Sequence, residues 1–142
     1  MDIKIYQGLH DDAMNIRITV FVAEQGFIDE PDEIDKTASH IVCYDNEKPI
    51  GCCRTFMKEG TSCWCLGRMA VLKEYRGKGV GRRIMKAAER YVYDRNADSL
   101  QLHSQLHAVG FYEKCGYKKI SGIEYEQGEP HVWMEKERGC LT

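Results

Sequence analysis

The feature that most constrains this chain is a glycine-rich stretch that lies between an apolar run and a strongly amphipathic one. Residues 76–82 read Arg-Gly-Lys-Gly-Val-Gly-Arg, shortly after the strand-like run Met69–Leu72. From Val80 onward, apolar side chains recur three or four residues apart, which predicts a helix with one buried face. Glycines before such a helix let successive N–H groups turn toward one point, where the helix dipole favours an anion. The pattern therefore predicts a strand, a pyrophosphate-binding loop and a helix in succession.

Two common nucleotide-binding loops do not fit this stretch. The P-loop requires a Lys-Ser or Lys-Thr pair after its glycines, and none follows here. The dinucleotide fingerprint requires a further glycine, but that position falls on Arg82 or Ile84, depending on which glycine starts the motif. A glycine-rich turn that begins a helix without binding a ligand stays open as the alternative.

Periodicity along the whole chain predicts one α+β (mixed α/β) domain over residues 1–142. The predicted order is strand, helix, three strands, helix, strand, helix and two strands. Asp11 or Asp12 is predicted to cap the first helix, which is closed by Gly26. Its apolar face is predicted to consist of Met14, Ile18, Phe21 and Val22. The acidic segment Asp29–Asp35, which contains a proline, is predicted to be a loop.

Composition argues against several kinds of partner. A formal net charge of −2 gives no reason to expect nucleic acid or an anionic membrane. No apolar run approaches the ~20 residues of a membrane span. The first residues also lack the pattern of a secretion signal. We therefore expect a cytoplasmic protein that binds neither nucleic acid nor a membrane.

The cysteines and histidines do not indicate a metal site. The chain has seven cysteines, and an odd number without a secretion signal indicates free thiols. Cys63 and Cys65 would share one face of a strand, where burial in the core is a better interpretation than zinc binding. His103 and His107 have the spacing of a zinc-protease pair but lack its glutamate. We therefore predict no metal.

A second motif follows the glycine-rich loop further along the chain. Residues 105–117 read Gln-Leu-His-Ala-Val-Gly-Phe-Tyr-Glu-Lys-Cys-Gly-Tyr. Together with residues 76–81 this resembles the GNAT superfamily of acyl-CoA-dependent N-acyltransferases. The loop matches the superfamily signature Arg/Gln-x-x-Gly-x-Gly/Ala in full, whereas the second motif departs at Gln105 for Asn and at Tyr117 for Phe. The resemblance covers nearly the whole chain.

Two shorter segments narrow the resemblance to one branch. They are Val20–Gln25, followed by the acidic segment, and Gly128–His131 near the end of the chain. Both are similar to the small bacterial ElaA/YjcF-like members of the superfamily.

The resemblance implies both a fold and a cosubstrate. The fold would be GNAT-like, with a central, mostly antiparallel sheet, splayed parallel central strands and flanking helices. The cosubstrate would be acetyl-CoA or another acyl-CoA, with its pantetheine arm along a strand and its pyrophosphate in the glycine-rich loop. The residues implied to bind it are Met69, Ala70, Val71, Arg76, Gly77, Lys78, Gly79, Val80, Gly81, Arg82, Gln105, Phe111 and Lys114.

The implied activity is direct transfer of an acyl group to an amine, without a covalent enzyme intermediate. Tyr112 lies at the position that commonly protonates the leaving thiolate, and aromatic packing is its alternative role. His131 ranks first as the group that takes the amine proton, and a structural hydrogen bond is its alternative role. The residues predicted on the substrate side are Phe21, Glu24, His40 and Glu126.

The acceptor stays open as a small-molecule or peptide amine. Segment Asp29–Asp35 is predicted either to attract a cationic amine, such as a polyamine, or to be a solvated loop. A homodimer is compatible with the resemblance. Two competing functions are a CoA- or acyl-CoA-sensing module without turnover, and an interaction domain whose glycines only form a turn.

Overall fold

The computed structural model describes residues 1–139, so Cys140 lies outside the described residues. The strands are β1 (Asp2–Gln7), β2 (Ser39–Asp45), β3 (Lys48–Met57), β4 (Trp64–Val71), β5 (Ser99–Gln105), β6 (Lys118–Lys119), β7 (Glu124–Glu126) and β8 (Glu129–Glu137). The α-helices are α1 (Asp11–Arg17), α2 (Glu33–Thr37), α3 (Val80–Tyr93) and α4 (Val109–Lys114). A π-helical segment, Ile18–Glu24, continues α1, and 3-10 turns lie at Lys73–Tyr75 and Leu106–Ala108. Within residues 1–139, no helix is both long enough and apolar enough to cross a membrane.

All eight strands form one sheet, and its centre is interrupted. The spatial order is β1-β2-β3-β4-β5-β8-β6, with β7 paired to β8. Neighbouring strands are antiparallel except β4 and β5, which are parallel. Their pairing covers only residues 64–66 of β4 and 100–102 of β5. The predicted mixed α/β architecture and the splaying of two parallel central strands are confirmed.

Helices cover both faces of this sheet. At Gly51 in β3, an added Cβ atom would lie 2.7 Å from Cδ1 of Ile84 in α3. The Sγ atom of the next residue, Cys52, lies 3.8 Å from the carbonyl oxygen of Ala13 in α1. Since successive residues of a strand face opposite sides, α1 and α3 pack on opposite faces of the sheet.

The first helix differs from the sequence prediction in its cap and in its buried face. His10 caps it instead of an aspartate, because Nδ1 of His10 accepts the N–H of Asp12 at 3.1 Å. The change to π-helical hydrogen bonding at Ile18 rotates the residues that follow. The predicted apolar face is therefore wrong at Ile18 and Val22, which are exposed. The buried apolar residues are instead Ala13, Ile16, Val20 and Phe21.

The acidic segment Asp29–Asp35 is part of a buried ion-pair network. Asp32 caps α2 by accepting the N–H of Asp35 at 3.0 Å. The ion pairs join Arg17 to Asp29 and Asp35, Arg54 to Asp32 and Asp35, and Arg68 to Asp29 and Asp32. Burial alone would raise the pKa of Asp35, but hydrogen bonds from Arg17 and Arg54 outweigh burial and hold this pKa well below its usual range. The three aspartates of the segment are thus not free to attract a cationic amine, whereas Glu30 and Glu33 between them are exposed.

The six cysteines among the described residues are free thiols. Cys65 is buried as predicted, whereas Cys63 is only half-buried. Burial raises the pKa of Cys52 and of Cys65 to about 12. These two thiols therefore stay protonated near neutral pH and are poor nucleophiles.

Candidate active site

A cleft opens where β4 and β5 part. Its volume is about 750 Å³, which is within the usual size of small-molecule sites. The pairing of β3 with β4 is irregular: its register shifts between Cys52 and Arg54 of β3. Arg68, within this irregular part of β4, has a left-handed φ of 52°. Residues 67–69 of β4 line one wall of the cleft and residues 102–105 of β5 line the other.

The glycine-rich loop closes one end of the cleft. Gly79 has a φ of 80°, a conformation that favours glycine, and α3 begins at the next residue. Within residues 1–139, the backbone N–H groups of Gly79, Gly81 and Arg82 have no hydrogen-bond acceptor, and no side chain caps the helix. These three residues line the cleft. Unpaired amides at the positive end of the helix dipole are suited to an anion such as a diphosphate.

Most of the predicted cofactor-binding residues line the cleft, but Ala70 and Lys78 do not. Met69 and Val71 face the cleft, whereas Ala70 between them is buried in the core, as expected for alternating residues of a strand. The Nζ atom of Lys78 lies 5.8 Å from the centre of the Tyr75 ring. A cofactor contact from the Lys78 side chain therefore has no geometric support in this arrangement.

Arg76 and Glu24 form a bidentate ion pair, with N–O distances of 2.5 and 2.7 Å. Arg76 Nε also donates to the carbonyl oxygen of Val71 at 3.0 Å. Hydrogen bonding to Arg76 lowers the pKa of Glu24, which keeps the pair ionised. Glu24, predicted on the substrate side, does not line the cleft. Its carboxylate holds Arg76 instead.

Helix α4 places an aromatic pair against the start of α3. An added Cβ atom on Gly81 would lie 3.0 Å from Cζ of Phe111, so a larger residue here would have to displace this ring. The ring of Tyr112 is buried edge-on against Phe111, with centroids 5.0 Å apart. In the part of the chain that the structure describes, the Tyr112 hydroxyl has no hydrogen-bond partner, and the residue lines the cleft. Burial raises the pKa of Tyr112, so its hydroxyl stays protonated and can donate a proton.

Gln105 and Lys114 of the second motif also line the cleft, and both form hydrogen bonds with other parts of the protein. Gln105 donates from Nε2 to Oε1 of Gln25 at 3.0 Å, and its own Oε1 lies 2.7 Å from Nε2 of His107. Lys114 accepts a hydrogen bond from Arg82 at its carbonyl oxygen at 3.2 Å. Gln105 therefore joins the end of β5 to the chain that follows the π-helical segment.

Away from the loop, a carboxylate lies between two imidazole rings. Oε2 of Glu126 is 3.5 Å from Nδ1 of His103 and 3.5 Å from Nε2 of His131. Nδ1 of His131 lies 2.9 Å from the carbonyl oxygen of Glu129. A proton on Nδ1 that is donated to this carbonyl leaves Nε2 of His131 as the basic nitrogen. His131 and Glu126, both predicted from the sequence, are thus in contact within the cleft.

The neighbouring His103 also lines the cleft. Burial and the nearby His131 lower the pKa of His103, which favours its neutral form. His107, which shares the zinc-protease spacing with His103, lies with its Nε2 2.7 Å from Oε1 of Gln105. Among residues 1–139, no group of three or more His, Cys, Asp or Glu side chains could hold a metal ion.

The remaining predicted substrate-side residues differ in position. Phe21 lines the cleft. His40 does not; it is 1% exposed, and its Nε2 lies 3.1 Å from the carbonyl oxygen of Asp35. Burial lowers the pKa of His40. His40 thus packs against the ion-pair network, and the prediction that it contacts substrate is wrong.

Sequence reasoning missed several residues of the cleft. Among them are Arg54, Gly67, Arg68, His103 and Trp133. The alternation of polar and apolar side chains in Leu100–Gln105 was the available signal for His103, since it predicts one polar face for this strand. The stacking of His103 on Trp133, with centroids 4.6 Å apart, depends on β8 and is not visible in local sequence.

Comparisons with known proteins identify the family of the chain and proteins of similar fold. Residues 17–138 match a family model described as an acetyltransferase (GNAT) domain. The uncharacterized N-acetyltransferase YjcF of Bacillus subtilis (strain 168) is 43% identical over 129 residues, which cover 89% of this chain and 91% of YjcF. The fold is similar to that of Escherichia coli ElaA, with a TM-score of 0.86, 24% identity and coverage of 96% and 99% of the two chains.

A further structural relative was solved with a ligand. It is an aminoglycoside 6'-N-acetyltransferase complexed with coenzyme A, with a TM-score of 0.75, 16% identity and coverage of 96% of this chain and 97% of that one. At this identity the likeness concerns the fold alone. The family model and YjcF, which together cover most of the described residues, carry the assignment: the chain belongs to the GNAT acetyltransferase family.

Proposed function

We propose that this acetyltransferase transfers an acetyl group from acetyl-CoA directly to a primary amine of a small molecule or peptide. The observation that carries the proposal is the set of unpaired amides at Gly79, Gly81 and Arg82, which face the cleft at the start of α3. A diphosphate supplies acceptors for these amides. The opening between β4 and β5 then leads from this loop toward Tyr112 and His131.

Tyr112 is proposed as the acid that protonates the leaving thiolate. The leaving group departs as a thiolate, whose thiol has a pKa near ~8.5, and a tyrosine, with a pKa near ~10 in water, still carries its proton at neutral pH. Burial raises the pKa of Tyr112 further, which keeps the proton in place before transfer. A hydroxyl without a protein partner is free to donate to a substrate atom.

His131 is proposed as the group that removes the proton of the attacking amine. A primary alkyl amine has a pKa near ~10.4 and must lose a proton before or during attack. Nε2 of His131 is the basic nitrogen when Nδ1 donates to Glu129. Glu126, 3.5 Å from this Nε2, stabilises the imidazolium that forms.

The proposed function is tested by release of free thiol from acetyl-CoA across a library of primary amines. Amine-dependent release with formation of an N-acetyl product is the expected result. Calorimetric binding of CoA with no release for any amine would instead indicate a sensing module. If CoA does not bind at all, the glycine-rich loop is only a turn.

We predict that Tyr112→Phe lowers kcat by ~10²-fold, because a positioned general acid contributes about that factor. The affinity for CoA is expected to stay within about twofold, since the ring still packs against Phe111. Steady-state kinetics and calorimetry on the same preparation measure the two effects. Tyr125→Phe is the matched control, because Tyr125 is 73% exposed and lies outside the cleft. Wild-type kcat in Tyr112→Phe would remove this hydroxyl from the mechanism.

A further inference from the structure

The aspartates of the acidic segment are paired with arginines near the cleft. Asp29, Asp32 and Asp35 each contact two of the three arginines of the network. Their formal charges therefore balance those of Arg17, Arg54 and Arg68. No excess negative charge is left in this network to bind a second ammonium group of a polyamine.

Arg68 is the member of the network that reaches the cleft. Its Nε bonds to Asp29 at 3.1 Å, and its Nη2 lies 3.8 Å from Asp32, beyond hydrogen-bonding distance. Its side chain keeps 31% of its surface exposed and lines the cleft. Within residues 1–139, neither terminal nitrogen of Arg68 has a hydrogen-bond acceptor. The guanidinium thus offers unpaired donors to a bound molecule.

The backbone at Arg68 supports a role in binding. A φ of 52° is unfavourable for a residue with a long side chain. Such strain persists where the surrounding structure imposes it, and it is often found at ligand sites. Here the left-handed conformation coincides with the register shift between β3 and β4, in the part of β4 that lines the cleft.

Arg54 provides a second, independent indication at the same wall. It is 4% exposed, lines the cleft, and its Nε has no hydrogen-bond partner in the described part of the chain. Gly67 leaves the adjacent face of β4 without a side chain, since an added Cβ atom would lie 3.8 Å from this Nε. A buried donor without a partner is costly unless a bound group satisfies it.

We propose, on the basis of the proposed function, that the acceptor is an amino acid or a similar molecule that carries a carboxylate as well as its primary amine. The carboxylate binds the guanidinium of Arg68 beside Arg54, because a planar fork of N–H donors matches a carboxylate. The amine lies toward Glu126 and His131, whose carboxylate and basic nitrogen suit an ammonium group that must lose its proton. The second ammonium group of a diamine has no acceptor to offer the unpaired N–H donors of Arg68.

Wild-type enzyme tests this proposal with pairs of amines that differ only by a carboxylate. The pairs are glycine and methylamine, β-alanine and ethylamine, and γ-aminobutyrate and propylamine, with 1,3-diaminopropane as the dication. The amino acid of at least one pair is expected to exceed its partner and the diamine by about 10- to 100-fold in kcat/KM, the value of a charge-assisted hydrogen-bonded pair. Higher kcat/KM for the carboxylate-free amines or for the diamine would overturn the inference alone. Acetylation of other amines of the library but of none of these compounds would also overturn the inference alone, whereas lack of acetylation of every amine of the library would overturn the proposed function and this inference with it.

Variants then locate the carboxylate. Arg68→Gln should raise KM for the preferred amino acid about 10- to 100-fold and reduce the preference for the amino acid over the matched amine by the same factor. Arg68→Lys should lie between wild type and Arg68→Gln, since it keeps the charge but not the fork. Arg90→Gln, the same change at an exposed position of α3, is the control. An equal loss with both members of the pair would show that Arg68 does not bind the carboxylate, and the inference would fail.

Discussion

Replacement of Gly79 by valine is expected to weaken the binding of CoA by about 10³-fold or more, a loss of about 4 kcal/mol. Nothing in the protein lies within 4 Å of a Cβ atom placed on Gly79. The new side chain therefore projects into open space at the loop where the diphosphate is proposed to bind. It also disfavours the φ of 80° that turns these amides toward one point. Isothermal titration calorimetry with CoA measures the effect.

A matched variant separates the loss of the binding site from backbone strain. Gly60 has a φ of 75° and likewise has no atom within 4 Å of an added Cβ, but it lies in the turn before β4, outside the cleft. Gly60→Val should cost similar stability and leave CoA affinity unchanged. CoA affinity in Gly79→Val equal to that of Gly60→Val would contradict the placement of the diphosphate at this loop.

The parts of the site that sequence predicted are those set by short-range geometry. The loop at residues 76–82 and the helix that follows depend on neighbouring residues, so their glycines and periodicity are sufficient to place them. Phe111 and Tyr112 were predicted from the resemblance, because their contact with this loop joins α4 to the start of α3. The splayed strands were predicted from the resemblance and are confirmed by the pairing that stops after Leu66 and Leu102.

The parts that sequence did not predict depend on residues far apart in the chain. Asp35 is an acidic residue of a proline-containing segment, and its burial depends on Arg17 and Arg54, which come from α1 and β3. The composition of segment Asp29–Asp35 does not distinguish a buried ion-pair network from a solvated acidic loop. His40 was assigned to the substrate for the same reason, because its contact with Asp35 is invisible without the fold.

Arg68 was missed because its environment arises from an irregularity of the sheet. A regular strand would alternate residues between the two faces, and no local signal in the Leu66–Val71 sequence predicts a left-handed residue other than glycine. The register shift against β3 places Arg68 beside the acidic segment and the cleft at once. One residue thereby links the ion-pair network to the site of chemistry, so changes to this network are expected to affect both stability and activity.

Replacement of Asp35 by asparagine is expected to lower the free energy of unfolding at pH 7 by about 3–5 kcal/mol, because it leaves Arg17 and Arg54 buried with one anion fewer. The pKa of Asp35 is held below its unfolded value of ~3.9. Its contribution is therefore present above about pH 4 and is lost as pH falls through the folded pKa. Urea denaturation at pH 7, 5 and 3 should show a difference in the free energy of unfolding between wild type and Asp35→Asn that is constant at pH 7 and 5 and narrows at pH 3.

Asp98→Asn, a change of the same chemistry at an exposed residue, should have a free energy of unfolding close to that of wild type at all three pH values. A difference below about 1 kcal/mol at pH 7, or one that grows at pH 3, would mean that the network contributes little to the fold.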